Sequence, residues 1–135
     1  MKQTLQQVEI GWPVEALFNY VADITNHREW KGTTDACWVS HKNQSGAKFI
    51  ELKGEVITEY ELAEFVPNQC RAVRSAKGLL RETYFFDFEP KGPSTVVKLS
   101  ARVEPGIFSI LAPVFTTKFV QSHNLHRLKK ILEQE

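Results

Sequence analysis

Six short segments rich in β-branched and aromatic residues, between Ala36 and Glu104, constrain the fold of this chain more than any other feature. Such residues favour strands because they pack well on a pleated surface. Turn-forming residues separate the segments near Asn43 to Gly46, Lys53-Gly54, Pro67-Asn68, Lys77-Gly78 and Pro90 to Pro93. Since short connections of this kind join antiparallel neighbours, the pattern predicts six consecutive hairpin-connected strands.

The segment before these strands predicts one more strand and two small helices. Val8-Glu9-Ile10 alternates apolar and polar residues, as a strand does, and this strand would end at Gly11. Pro13 suits the first turn of a helix, whose apolar stripe would consist of Val14, Leu17, Phe18, Val21 and Ala22. Asp23 can end this helix and cap a second short turn through Asn26. The polar run from Asp23 to Glu29 shows no ordinary core position before Trp30.

A helical period begins after Pro105-Gly106 and continues to about Glu133, which makes it the longest predicted element. Pro113 either lies in the first turn of a helix that starts near Ala112, which we favour, or kinks a longer one. The helix carries a broad apolar face of Leu111, Val114, Phe115, Leu125, Leu128 and Leu132. Because this face must be buried, we expect an α+β fold in which a bent antiparallel sheet of about seven strands wraps the helix.

Length, charge and cysteine content indicate the number of domains, the kinds of partner and the cellular compartment to expect. With 135 residues, the chain fits one domain, residues 1–135, around one core. A formal charge of +1 favours neither nucleic acid nor an anionic membrane surface. The chain has no apolar run near the roughly 20 residues of a membrane span, so we expect a cytoplasmic protein without stable membrane insertion. Cys37 and Cys70 lack metal-site spacing and are expected to be reduced, buried thiols.

Four motifs spread over nearly the whole chain point to a known family. They are I-x-x-P-x-E-x-L/V-F-x-x-V-A-D from Ile10, followed by Trp30; E-F-V-P from Glu64; Y-x-F-x-F-x-P from Tyr84; and L-x-x-L-K-x-x-L-E from Leu125. In this order and spacing they resemble the START-like or SRPBCC superfamily, in particular its polyketide cyclase/dehydrase-like branch. The chain departs from that pattern at His27, where proline is common, and at Pro93-Ser94-Thr95, where a glycine-threonine pair is common.

The resemblance implies a helix-grip fold with a deep cavity between the long helix and the inner sheet face. Similar proteins hold hydrophobic ligands there, such as lipids, sterols, quinones and polyketides. In them the two small helices close one end of the bent sheet. Trp30 would then form a wall or lid of the cavity, or would simply anchor the helix-strand junction as a packing residue.

Alternation along the strands selects further cavity candidates. Tyr60 and Tyr84 offer hydroxyls that could orient a polar ligand group, while Glu82 either is a buried acid/base carboxyl or lies exposed at a strand end. Arg74 is either a cavity charge or half of a surface cross-strand pair. The inward apolar sets would be Phe86 and Phe88 with Tyr84; Leu99 with Val97, Ala101 and Val103; and, more weakly, Val56, Thr58 and Leu62 with Tyr60.

On the C-terminal helix, Lys118 and Ser122 project into the middle of the apolar stripe, near Phe115. A cavity-facing Lys118 could bind a ligand carboxylate or enolate, or act as an acid with a lowered pKa. Alternatively, its charge stays at the wet rim. His123 and His126 have metal-pair spacing, but no nearby ligand completes a site, so we expect neither metal nor cofactor.

Three classes of function fit these features, and no catalytic residue can be assigned. The leading hypothesis is binding or transport of a hydrophobic small molecule by a monomer or homodimer. The second is an enzyme of the polyketide cyclase, aromatase or dehydratase type, in which polar groups converge in one dry pocket. The third is a co-chaperone or ribosome-associated partner protein, whose sign would be a large exposed apolar patch.

Overall fold

The structure, a computed structural model, describes residues 3–31, 33, 35–40, 43–77, 80–104 and 125–134. Its seven strands form one antiparallel sheet in the order β1-β7-β6-β5-β4-β3-β2. The strands are β1 Gln3–Ile10, β2 Asp35–Ser40, β3 Lys48–Lys53, β4 Val56–Val66, β5 Cys70–Lys77, β6 Leu80–Lys91 and β7 Ser94–Glu104. The prediction of six consecutive hairpin-connected strands is confirmed, because each strand from β2 to β6 pairs with the next one in sequence.

Backbone conformation at the turns explains why the hairpin connections can be so short. Gly54, between β3 and β4, and Gly92, between β6 and β7, have φ angles of 64° and 61°. Glycine adopts this left-handed conformation without the steric penalty of a Cβ atom. Asn68, between β4 and β5, has a φ of 64°, which asparagine tolerates better than most residues. The turn residues therefore fix the strand boundaries.

Two short helices and a 3₁₀ turn follow β1; the first helix and the turn through Asn26 were predicted, whereas the second helix was not. Helix α1 spans Val14–Ala22, and its buried stripe consists of Leu17, Phe18, Val21 and Ala22. The 3₁₀ turn Ile24–Asn26 begins at Asp23, whose carboxylate accepts a hydrogen bond from the Thr25 backbone N–H at 3.0 Å. Helix α2, His27–Trp30, comes next. Together with the seven-stranded sheet and the C-terminal helix, these elements make the α+β helix-grip fold.

The segment from Asp23 to Glu29 corrects one expectation. Its polar sequence predicts no core position, yet Ile24 is 2% exposed and His27 is fully buried. The cap at Asp23 turns the chain so that both side chains enter the core, and Trp30, 1% exposed, follows them. Such a short turn has no apolar periodicity of its own, so burial here depends on tertiary contacts.

The core lies between the inner sheet face and the helices. Phe18 of α1 packs edge-on against Phe88 and Phe65, with ring centroids 5.1 and 5.3 Å apart. The inner faces predicted for β6 and β7 are confirmed for the buried residues Tyr84, Phe86, Phe88, Val97, Leu99 and Ala101. Val56, predicted to face inward on β4, is 64% exposed, because it lies at the tip of the β3–β4 hairpin, beyond the reach of the core.

Helix α3, Leu125–Leu132, lies against β1 and buries Leu125 and Leu128. Gln6 accepts a hydrogen bond from the Leu125 N–H at 2.9 Å, and the Trp12 indole donates to the Leu132 carbonyl at 3.0 Å. The second bond satisfies a carbonyl that the helix end leaves without an intrahelical partner. The predicted helix residues before Leu125, and the side chain of Val103, lie outside the described residues.

The two cysteines are free, as expected, but the expectation that they are buried is wrong. Cys37 is exposed because it points away from the inner face of the edge strand β2, opposite to its neighbours Ala36 and Trp38. Cys70 is half-buried, with its Sγ 3.7 Å from a carboxylate oxygen of Glu64.

Replacing the cap of the 3₁₀ turn should measurably destabilise the fold. Asp23→Ala removes the acceptor for the Thr25 N–H and hydroxyl, so we expect the free energy of unfolding to fall by about 1 kcal/mol in urea titrations. Asp23→Asn keeps an acceptor oxygen and serves as the control, which should lose much less. Equal losses in the two variants would show that the charge of Asp23, and not its capping bond, matters.

Candidate functional site

Four charged or titratable side chains meet at the inner end of α2. His27 and Lys31 lie one helical turn apart, linked by the backbone bond from the Lys31 N–H to the His27 carbonyl at 2.7 Å, so their side chains project from the same face. Glu51 comes from β3 and Arg71 from β5. All four are buried, with exposures of 0% for His27, 3% for Lys31, 4% for Glu51 and 2% for Arg71. We call these four residues the charged cluster.

Glu51 is the acceptor that holds the charged cluster together. Its Oε2 lies 2.7 Å from Nδ1 of His27, and its Oε1 accepts a hydrogen bond from Nζ of Lys31 at 2.8 Å. Burial alone would raise the pKa of Glu51, but the Lys31 ammonium and the hydrogen bond with His27 outweigh it and lower the pKa to about 2. Glu51 is therefore ionised at neutral pH, and each of its oxygens already has a partner.

His27 has acceptors on both sides of its ring. Besides Glu51, the carbonyl of Val21 lies 3.2 Å from its Nε2. Two acceptors favour a protonated ring, but burial, together with the positive charges of Lys31 and Arg71, outweighs them and lowers the pKa of His27 to about 4. At neutral pH we therefore assign a neutral ring whose Nδ1–H donates to Glu51, the shorter contact and the charged acceptor. The His27–Glu51 contact is then a hydrogen bond and not an ion pair.

Lys31 is paired but lies in apolar surroundings. Burial lowers the pKa of its ammonium to about 8, even though the carboxylate of Glu51 favours the charged form. Its Nζ lies 5.3 Å from the centroid of the Tyr60 ring, which in turn stacks on Phe49 at 5.3 Å. The negative face of an aromatic ring stabilises a nearby cation, so Tyr60 supplements the single carboxylate.

Arg71 is the least satisfied member of the charged cluster. Its Nε and Nη2 atoms are buried and have no hydrogen-bond partner. Its direct neighbours across the sheet are Phe65 on β4 and Phe86 on β6, and its guanidinium lies 5.6 Å from the centroid of Phe49. Burial lowers the pKa of Arg71 to about 10, so the side chain stays charged at neutral pH.

A second polar group lies on the same sheet face. The Tyr84 hydroxyl donates to a carboxylate oxygen of Glu82 at 3.2 Å. Burial and the charge of Glu82 raise the pKa of Tyr84, and burial followed by Glu51 and Glu82 raises that of Tyr60. Both phenols therefore remain protonated at neutral pH, and the Tyr84 proton is engaged by Glu82.

The sequence-predicted site residues divide into three groups. Trp30, Tyr84, Phe86, Phe88 and Leu99 are buried in the core, while Tyr60 and Glu82 are half-buried on the inner face. Arg74 lies on the opposite face, because its position differs by an odd number from those of the inward Arg71 and Val73, and side chains alternate along a strand. Its guanidinium contacts Glu61 at 3.6 Å and is 40% exposed, so its interpretation as a cavity charge is wrong. Phe115, Lys118 and Ser122 lie outside the described residues.

Sequence reasoning missed all four residues of the charged cluster. His27 and Lys31 lie in or next to a polar run that is typical of a solvated turn, and the sequence analysis selects Arg74 instead of Arg71 on β5. The alternation Phe49-x-Glu51 on β3 and Arg71-x-Val73 on β5 was the available signal, because it places each charge on the same face as a core residue.

A cleft of about 160 Å³ also opens beside α2. It is lined by Ile24, Thr25, Arg28, Thr33, Asp35 and Ala36. No member of the charged cluster lines it, so we do not equate this cleft with the ligand cavity that the resemblance implies.

Among the described residues, no group of three or more His, Cys, Asp or Glu side chains could hold a metal ion. His126 is exposed on α3, and His123 lies outside the described residues. No helix in the described part of the chain combines the length and apolar character needed to cross a membrane.

Sequence comparison supplies the family. Residues 1–133 match the family described as polyketide cyclase / dehydrase and lipid transport. The chain belongs to this family. No curated protein matches the chain.

Solved structures show the same fold as this polyketide cyclase / dehydrase family member. The di-domain ARO/CYC protein BexL matches with a TM-score of 0.77 at 14% identity, over 98% of this chain and 46% of BexL. A protein from Mesorhizobium loti has a TM-score of 0.72 at 16% identity, covering 98% of each chain. An HSP90 activator from Plasmodium falciparum has a TM-score of 0.67 at 20% identity, over 98% of this chain and 96% of the activator. At these identities the likeness establishes the fold alone.

The lowered pKa of His27 predicts acid sensitivity of the fold. An unfolded chain takes up the histidine proton near pH 6.5, whereas the folded chain does so only near 4, so acid favours unfolding between these values. We expect the free energy of unfolding to fall on the order of 3 kcal/mol across this window. Protonation of Glu51, whose pKa is lowered to about 2, removes further stability as the pH falls from about 4.5 towards 2.

Denaturant titrations across this pH range test the assignment. His27→Asn keeps a donor for Glu51 but does not titrate, so its stability should vary much less between pH 6.5 and 4. His126→Asn, at the exposed histidine of α3, is the matched control and should keep the wild-type pH dependence. An unchanged slope in His27→Asn would contradict the role given to His27.

Proposed function

We propose that this protein binds or transports a hydrophobic small molecule, lipid-, quinone- or polyketide-like, in an internal cavity between the inner sheet face and the C-terminal helix. The observation that carries the proposal is the composition of that face. Large buried aromatic side chains, Phe49, Tyr84, Phe86 and Phe88, lie beside a charged cluster that has unused hydrogen-bond donors. Binding sites for small molecules combine an apolar lining with a few polar groups in this way.

Membership of the polyketide cyclase / dehydrase and lipid transport family supports the proposal, since its description names both lipid transport and chemistry on polyketides. In the proposed arrangement, the residues 1–135 act as one domain. Trp30, with its ring 6.4 Å from that of Phe86 and 5.9 Å from that of His27, would close the cavity at the α2 end.

An enzyme of the cyclase or dehydratase type is the second candidate, and one observation favours it. Polar groups converge on the inner face, where Tyr84 is hydrogen-bonded to Glu82 and Lys31 has a pKa of about 8. Such groups could polarise a carbonyl and move a proton in a dry pocket. BexL, an ARO/CYC protein, has the same fold.

The partner-protein hypothesis has less support. The exposed large apolar residues in the described ranges are Val39 on β2, Val56 and Ile57 at the β3–β4 hairpin, and Val66 at the end of β4. Val56 and Ile57 lie at the start of β4, Val66 at its end and Val39 on β2, so among the described residues these side chains are spread apart and do not make the large patch that a co-chaperone surface would need.

Native mass spectrometry of the freshly purified protein is the direct test. We expect a defined mass adduct that organic extraction releases as a hydrophobic compound, and the same spectrum reports whether the protein is a monomer or a homodimer. A compound identified in this way can then be incubated with the protein to test for turnover. A bare protein mass, with no adduct regained on incubation with lipid, quinone and polyketide extracts, would contradict the binding proposal.

A further inference from the structure

The unpaired guanidinium of Arg71 restricts what the proposed ligand can be. Nε and Nη2 are the two nitrogens on one edge of the guanidinium, and their N–H bonds point in parallel toward a common partner. This edge matches the two oxygens of a carboxylate in a bidentate pair. Both atoms are buried without a partner, in a side chain that is 2% exposed. A buried charged donor left unsatisfied is costly, so an acceptor is expected to complete it.

The groups found beside Arg71 in the described residues do not complete its free edge. Across the sheet it faces Phe65 and Phe86, which carry no acceptor. The nearby carboxylate, Glu51, already binds His27 through Oε2 and Lys31 through Oε1. The free edge of Arg71 therefore has no acceptor among these three neighbours.

The charge of the cluster selects among possible anions. At neutral pH, Lys31 and Arg71 are positive, Glu51 is negative and His27 is neutral, which leaves one uncompensated positive charge. A monoanion such as a carboxylate balances this charge, whereas a phosphate monoester would bring close to two negative charges at pH 7. Burying an unbalanced charge of either sign is expensive, so the balance favours the carboxylate.

Resting on the proposed function, we propose that the ligand is a hydrophobic carboxylic acid whose carboxylate binds the Nε–Nη2 edge of Arg71, with its apolar part along the aromatic inner face. Lys31 and Glu51 act as positioning residues, since their ion pair keeps Glu51 from occupying Arg71. Arg71 is the specificity-determining residue for the carboxylate.

Calorimetric titration with octanoate, dodecanoate and hexadecanoate, each compared with the primary alcohol of the same length, tests this inference. We expect the wild type to bind the best carboxylate at least about 10-fold more tightly than its alcohol. Arg71→Met should weaken carboxylate binding roughly 10- to 100-fold and leave alcohol binding nearly unchanged. Arg74→Met, on the same strand but the opposite face, is the matched control and should behave as wild type.

A second variant separates bidentate recognition from charge alone. Arg71→Lys keeps the positive charge but has no paired edge, so it should recover only a small part of the carboxylate preference. Far-ultraviolet circular dichroism and thermal melting will show whether Arg71→Met folds. If it does not, the comparison of carboxylate with alcohol binding is made with Arg71→Lys. Full wild-type affinity in Arg71→Lys would overturn the bidentate assignment.

The remaining outcomes distinguish the two proposals. Equal binding of carboxylates and alcohols, unchanged in the folded Arg71 variants, overturns the carboxylate inference and leaves hydrophobic binding intact. Tighter binding of dodecyl phosphate than of dodecanoate also overturns it. No binding of any probe, together with a bare mass in native spectra, contradicts the proposed function itself.

Discussion

The carboxylate of Glu51 is the interaction on which the site depends. It ties β3 to the α2 turn through His27 and Lys31, which lie 24 and 20 residues earlier in the chain. An ionised carboxylate and an ammonium each cost several kcal/mol when buried alone. The two charges can be buried here because each one is paired with the other. Without Glu51, Lys31 and Arg71 would leave two adjacent buried cations. Glu51 thereby joins α2, which also carries Trp30, to the sheet.

The charged cluster is an expensive way to build a core. Hydrophobic residues of similar volume often stabilise a fold at least as much as a buried ion pair does. Here, in addition, Arg71 keeps two donors unpaired. Local violations of good packing are expected where a protein needs a binding or reactive group, because the cost is then offset by function. This reasoning singles out the inner end of α2 rather than the cleft beside it.

The fold could be predicted because its signals are local, whereas the site could not. Turn residues such as Gly54 and Asn68 mark the hairpins, and the alternation around Phe86 and Leu99 marks the inner face. By contrast, His27 and Lys31 lie in a turn too short for periodicity, and their burial is decided by a distant partner on β3. On β5, Val73 shares a face with Arg71 while Ala72 and Ala76 flank Arg74, so the local alternation favours Arg71 only weakly over Arg74. The family resemblance supplied the architecture but no site residue in this cluster.

The direction of each pKa shift bears on binding versus catalysis. A general acid or base works best with a pKa near the operating pH. In this site, the pKa of Glu51 is lowered to about 2 and that of His27 to about 4. The pKa values of Tyr60 and Tyr84 are raised further above neutrality. Arg71, at about 10, stays charged. These groups keep a fixed protonation state at pH 7, as donors or acceptors that hold a ligand should.

Lys31, with a pKa of about 8, comes nearest to a titrating group in this set, but its ammonium is held in an ion pair with Glu51. The electrostatics therefore favour a binding site, and an enzyme built on it would depend on Lys31 being released from Glu51 by the ligand.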